Sequence, residues 1–183
     1  MQKINYFELL EELSLLTSRA VYLTSVKSRA QLQKSLAEIS SIEASATLKI
    51  NELEQVLFKD FLPPLERRSI AEAGHRLCKI ISTSASILSQ RSQRAPYDKH
   101  VKEYEACVEL SKIIEESVFM LKKIKKPNQM PKAFEFRELL NLSRASSRQS
   151  QKKQNPTQNL FCRLREELSD CFDGLIEIML CNI

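Results

Sequence analysis

The chain has 183 residues, only two of them Gly and none Trp, with 43% hydrophobic and 28% charged side chains. That is enough apolar surface for one core of its own, and too little Gly for tight-turned sheets or phosphate-cradling loops. The balance of 28 basic against 23 acidic residues leaves +5, and no run reaches the ~18 uninterrupted apolar residues of a membrane span. An all-α chain with few connections is the expectation.

Proline and charge clusters divide the sequence into six segments of helical period. The first runs from about Ile4 to Val26, with Leu9, Leu13, Leu16, Ala20 and Leu23 in alternating steps of four and three. The second, about Ser28 to Lys59, carries Leu32, Leu36, Ile39, Glu43, Ala46, Ile50, Leu53 and Leu57 in the same rhythm. Such alternation is the seam of a helical bundle, one apolar stripe per helix. Pro63-Pro64 breaks it, since proline lacks an N–H and clashes with the preceding turn. A third helix restarts near Leu65, with Ile70, Ala73, Leu77, Ile80, Ser84 and Ile87 on one face.

Arg94-Ala95-Pro96 is the next break, and a fourth helix spans about Tyr97 to Ile124, with Cys107, Leu110, Ile114, Ser117, Leu121 and Ile124 in register. Lys125 to Pro131 reads as a loop. The fifth segment, Lys132 to Lys153, begins helically but loses its apolar stripe after Leu142. After Asn155-Pro156 the last helix runs from about Thr157 to Leu180 on Leu164, Leu168, Cys171, Leu175 and Ile178. Three helices, a central proline break and three more predict one domain over residues 1–183. It is a six-helix bundle built as two three-helix repeats, about 1–93 and 97–183.

The first eight residues interrupt their apolar character with charge at once, which does not suit a signal peptide. Five cysteines (Cys78, Cys107, Cys162, Cys171, Cys181) are odd in number and form no CxxC pair. They read as small buried hydrophobes in a reducing cytosol. His75 and His100 have no second ligand at metal spacing.

Glu43 stands out in the second helix. It falls on a seam position where a leucine is expected, and a carboxylate facing a bundle interior is costly unless paired or bound to a cation. The competing placement puts Ile42 on the seam and Glu43 at its edge, reaching to water.

The run Phe61-Leu62-Pro63-Pro64-Leu65-Glu66-Arg67-Arg68-Ser69-Ile70 resembles the Phe-Ile-Thr-Pro-Ile-Asp-Arg-Glu-Asp-Ile signature of PhoU-like phosphate-transport regulators. The closer branch accompanies Pit-type inorganic phosphate transporters. The opening Tyr6-Phe7-Glu8-Leu9-Leu10-Glu11-Glu12 is similar to that branch's start, and the stretch Leu164 to Asn182 to its last helix. The resemblance implies a PhoU-like six-helix fold and, in its members, Glu/Asp-x-x-x-Asp motifs that hold a multinuclear iron or other metal cluster. Residues four apart share a helix face, so both carboxylates converge on one ion. Carried onto this chain, the motifs fall on Glu43 and Thr47, Gly74 and Cys78 (followed by Lys79), Ser143 and Ser147, and Ser169 and Asp173. Only Glu43 and Asp173 keep a carboxylate, so the reading is a member with vestigial metal positions and no cofactor.

Charge placement is the second feature. From Lys122 to Lys153 ten basic residues (Lys122, Lys123, Lys125, Lys126, Lys132, Arg137, Arg144, Arg148, Lys152, Lys153) oppose Glu135 and Glu138, giving +8 and leaving −3 for the remainder. Arg137, Arg144, Arg148 and Lys152 share one helical face. Such a face attracts anionic lipid, acidic protein surfaces or nucleic acid; the competing reading is a solvated arm. Residues 137–160 contain no aromatic side chain on which bases could stack, which disfavours nucleic acid.

His75 and Cys78 lie one turn apart but among ordinary packing residues, and no Gly-rich anion loop or nucleophile elbow is present. The expectation is a non-catalytic cytoplasmic protein at the inner face of the membrane. By resemblance it regulates inorganic phosphate transport through helix-surface contacts with a transporter, with a homodimer as a further partner. The alternatives are a metal-binding bundle with one site at Glu43 and Asp173, or a helical adaptor for polyanions or nucleic acid.

Overall fold

The computed structural model describes residues 5–26, 28–59, 66–93, 101–121 and 156–181. Among them are five helices and no strand: α1 (Tyr6–Leu23), α2 (Arg29–Lys59), α3 (Arg67–Gln93), α4 (Val101–Leu121) and α5 (Pro156–Cys181). Each matches a segment expected from the sequence, with ends shifted by a few residues; α5 is the segment read there as the sixth. The fifth expected segment, 132–153, lies outside the described residues, as does the Pro63-Pro64 break. No helix among the described residues is long and apolar enough to cross a membrane.

Local chemistry fixes the helix ends. Asn5 caps α1, its Oδ1 accepting from the Phe7 N–H at 3.1 Å, and Glu8 sits in the first turn where the helix dipole favours an anion. At the other end Arg91 of α3 donates to the Thr24 carbonyl and, at 2.6 Å, to the Val26 carbonyl. Those oxygens follow the last turn of α1 and have no partner within it. Ser28 Oγ accepts from the Gln31 N–H at 3.2 Å and starts α2.

Packing follows the stripes. α1, α3, α5 and α4 form a closed ring in which each touches its two neighbours, and α2 lies outside the ring against α1 and α3. Cross-helix bonds give the directions. Thr17 reaches the Leu77 carbonyl and Arg91 the Thr24 carbonyl, so α1 and α3 run the same way. His75 meets Glu54 and Cys78 meets Ala46, so α2 runs against them. Ser18 meets the Ser111 carbonyl and Ser25 meets Tyr104, so α4 is antiparallel to α1. Thr83 meets Glu167 and Arg76 meets Asp170, so α5 is antiparallel to α3. It follows that α4 and α5 are parallel, and α4 ends at the opposite end of the bundle from where α5 begins.

The seam residues of α3, α4 and α5 named from the sequence are buried, apart from Ile124, which lies outside the described residues; they include Ser84 and Ser117, whose hydroxyls bond to carbonyls one turn back in their own helices. In α2 the structure decides between the two placements open to Glu43, in favour of Ile42 on the seam and Glu43 at its edge. Ile42 is buried at 6% exposure and Glu43 is only half-buried, because the stripe runs through Ile39, Ile42, Ala46, Ile50, Leu53 and Leu57. A three-step at Ile39 puts the branched side chain inward and spares the carboxylate its desolvation cost. Of the cysteines, Cys107 and Cys171 are buried and Cys78 and Cys162 are half-buried, with no disulfide among these four.

Gly74 explains how α3 approaches α2 so closely. A Cβ there would stand 2.7 Å from Ile50 Cδ1 and 2.8 Å from Leu53 Cδ2. Leu53→Ala should therefore destabilise the protein by about 2–5 kcal/mol in urea unfolding. Adding Gly74→Ala to that variant should cost at least ~0.5 kcal/mol less than adding it to the parent, because one of its two obstacles has gone. Purely additive costs would show that Leu53 and Gly74 do not share this contact. Cys171→Ala, a smaller truncation, should cost less than Leu53→Ala.

Candidate functional site

The most concentrated polar chemistry lies where α3 meets α5. Glu167 is 6% exposed, and a carboxylate at that depth is costly unless several donors surround it. Three do. Thr83 Oγ1 of α3 donates at 2.5 Å, Arg163 Nε donates at 2.9 Å from one turn earlier in α5, and Lys79 Nζ of α3 stands 3.6 Å away. Both cations are about 60% exposed, so they cover the carboxylate from the rim while Thr83 holds it from within the interface.

One to two turns along, Arg76 donates to the Asp170 carbonyl and lies 3.7 Å from Glu72 of its own helix. A Cβ on Gly174 would come within 3.2 Å of the Arg76 guanidinium, so glycine there lets the arginine lie flat on α5. Beside it a groove of about 250 Å³ is rimmed by Glu66, Glu72 and Glu177, with Ala73, Cys171 and Ile178 beneath. Burial pushes the Cys171 thiol up to about 12, and burial with the Glu54 carboxylate pushes Cys78 up to about 11. Both are protonated thiols at neutral pH, and the thiolate is the nucleophile and metal ligand. His75 Nε2 is 2.8 Å from Glu54 Oε1 on α2, and the Cys78 thiol points to the Ala46 carbonyl.

The motif positions carried over from the resemblance are thus partly brought together. Gly74 and Cys78 lie on α3 and Ser169 and Asp173 on α5, and these helices pack on each other. Glu43 and Thr47 lie on α2, which touches α1 and α3 but not α5. Thr47 is exposed and bonds to the Glu43 carbonyl of its own helix. Glu43 and Asp173, the two retained carboxylates, are on helices that do not meet. No group of three or more His, Cys, Asp or Glu that could hold a metal ion occurs among the described residues. Ser143, Ser147 and every basic residue named between Lys122 and Lys153 lie outside the described residues.

Sequence reasoning missed Glu167. The signal was present: Glu167 is three residues after Leu164 and four before Cys171, on the same face, and Arg163 precedes it by one turn. Lys79, which reads from sequence only as a charge that would repel a cation, is here the cation paired with Glu167. The sequence matches no protein-family model and no curated protein.

Two outcomes test this arrangement. Protein purified without chelator should contain well under one equivalent of iron, manganese or zinc by elemental analysis; two or more per chain would contradict it. Thr83→Val should destabilise by about 1.5–3 kcal/mol, the worth of a hydrogen bond to a charged group, because it strips Glu167 of its inner donor. Lys79→Met, losing only a largely exposed pair, should cost less than about 1 kcal/mol.

Proposed function

We propose that this chain is a PhoU-like, non-catalytic regulator of inorganic phosphate transport that works at the inner face of a membrane through contacts of its helix surfaces and its basic segment. The observation that carries the reading is the order of charge along the chain. α4 and α5 each carry two basic and five acidic residues, and between them residues 122–153 carry +8. The ring helices that flank this segment repel anions, so attraction to an anionic surface is concentrated in one stretch.

Two features support the PhoU-like assignment beside the Pro-centred signature. Exchanging α1 with α4 and α3 with α5 maps the ring of contacts onto itself, as two copies of one three-helix unit require. In the first half α2 carries the chain back between two helices that run the same way. In the second half α4 and α5 also run the same way, and in sequence order residues 132–153 fall between them, as α2 falls between α1 and α3. The buried Glu167 also has its positive partners built in, from Lys79 and Arg163, which fits a member that works without a metal cluster. The polyanion-adaptor reading shares the basic segment; the metal reading finds its two carboxylates on helices that do not pack together.

Binding to vesicles containing acidic lipid should be measurable and should weaken as salt rises, because exposed charges lose their reach beyond a Debye length of about 8 Å. Changing Arg144, Arg148 and Lys152 together to Gln should lower the affinity by up to ~3 kcal/mol, at ~1 kcal/mol per residue, with the melting temperature nearly unchanged. Equal binding of the triple variant and the parent at low salt would remove the charge argument. Phosphate uptake by cells lacking the protein tests the transporter itself, and unchanged uptake would overturn that part of the reading.

A further inference from the structure

α2 carries a second stripe that the other described helices leave uncovered. From Ala37 to Phe58 the positions Ala37, Ser41, Ala44, Leu48, Asn51, Gln55 and Phe58 recur in steps of four and three without a break. All seven are exposed, Leu48 by 69% and Phe58 by 88%. None is charged, in a chain 28% charged. Three charges beside it are used against neighbouring helices: Glu38 pairs with Arg19 at 2.5 Å, Lys49 with Glu12 at 2.6 Å, and Glu54 with His75 at 2.8 Å, while the exposed Lys34 and Lys59 border the stripe at its two ends. A solvated helix turns its charges outward; an uncharged centre flanked by charge is the pattern of a helix–helix contact. The other large exposed apolar side chains lack this setting. Leu15 has Glu11, Glu12 and Arg19 one turn away on its own helix, Tyr22 lies beneath the Arg19 guanidinium, and Phe119 follows Glu115 and Glu116.

We propose that this face of α2 is the contact between two copies of the chain, paired antiparallel about a two-fold axis near Leu48. Two properties of the stripe select a second copy as the occupant. The first is charge: a face that meets its own copy across a two-fold must not repel itself, and this one carries no charge to repel. α4 and α5, at three excess acids each, could not do the same.

The second is size. The stripe is small in its first half (Ala37, Ser41, Ala44) and larger in its second (Asn51, Gln55, Phe58), with Leu48 between. Full antiparallel overlap sets Phe58 of one copy at Ala37 of the other, Gln55 at Ser41, Asn51 at Ala44, and Leu48 at Leu48. Large side chains then fill the space left by small ones along the whole stripe, as ridges pack into grooves. The contact is about 32 Å long at 1.5 Å per residue. A single helix pair of that length belongs to the small, transient class of interfaces below ~1,200 Å², so the dimer is weak and concentration-dependent.

Sedimentation velocity of the full chain over about 1–500 µM, a range suited to a transient interface, should show the average mass rising from the 21.1 kDa monomer toward twice that value. Leu48→Glu and Phe58→Glu should each weaken association by at least about tenfold, since each places like charges across the axis or at its anchor. Helix content and melting temperature should not change, because both side chains are exposed. Phe119→Glu, on a different face, should associate like the parent. Leu48→Cys should form a disulfide-linked dimer on mild oxidation, which the parent should not. A parent that stays monomeric throughout, association that Leu48→Glu and Phe58→Glu leave intact, or a loss that Phe119→Glu reproduces would each overturn the proposal.

Discussion

The architecture depends on α3 having to bury two faces at once. One, through Gly74, Leu77 and Cys78, is pressed against α1 and α2; the other meets α5 through Thr83 and Arg76. A helix sandwiched in this way cannot carry a conventional charged outer face along its whole length. The chain resolves the conflict in two ways. Where α2 approaches, the side chain is reduced to hydrogen at Gly74. Where α5 approaches, polar groups are kept but paired with one another across the interface.

That second solution gives Glu167 its character. A buried carboxylate is stable only when its surroundings supply what water would have supplied. Thr83 gives a hydrogen bond from inside the interface, and Lys79 and Arg163 give positive charge from the rim, where their long stems can stay partly hydrated. The exposed ion pairs of α2 with α1 and α3 are weaker, and their effect is orientation more than stability. They turn Glu38, Lys49 and Glu54 toward neighbouring helices, beside the uncharged stripe from Ala37 to Phe58.

Charge is therefore sorted by role. Inside the ring it is compensated pair by pair, on the flanks of α2 it sets how that helix lies, and on α4 and α5 it remains as an acidic surplus. The strongly basic residues 122–153 join two acidic helices. A long-range field of this kind acts on association with charged surfaces and leaves the core untouched, because the core is apolar and close-packed.

The spacing of apolar residues was enough to locate all five described helices and one buried stripe on each of α3, α4 and α5, because the 3.6-residue period is a property of each helix alone; it did not name Ile81, Leu88, Phe172 or Ile176, buried beside those stripes. It left the choice between Ile42 and Glu43 open, since both satisfied the rhythm and only the position of α1 and α3 decided which faced inward. It also passed over Glu167, whose burial depends on a threonine 84 residues away. The second stripe of α2 was equally present in the sequence, yet nothing in spacing alone said that α2 lies outside the ring with that side uncovered. Helix existence, length and inner stripe are local quantities set by neighbours in the chain. Which helices touch, which polar groups meet and which faces remain open are set by contacts between distant segments, and those only the tertiary structure decided.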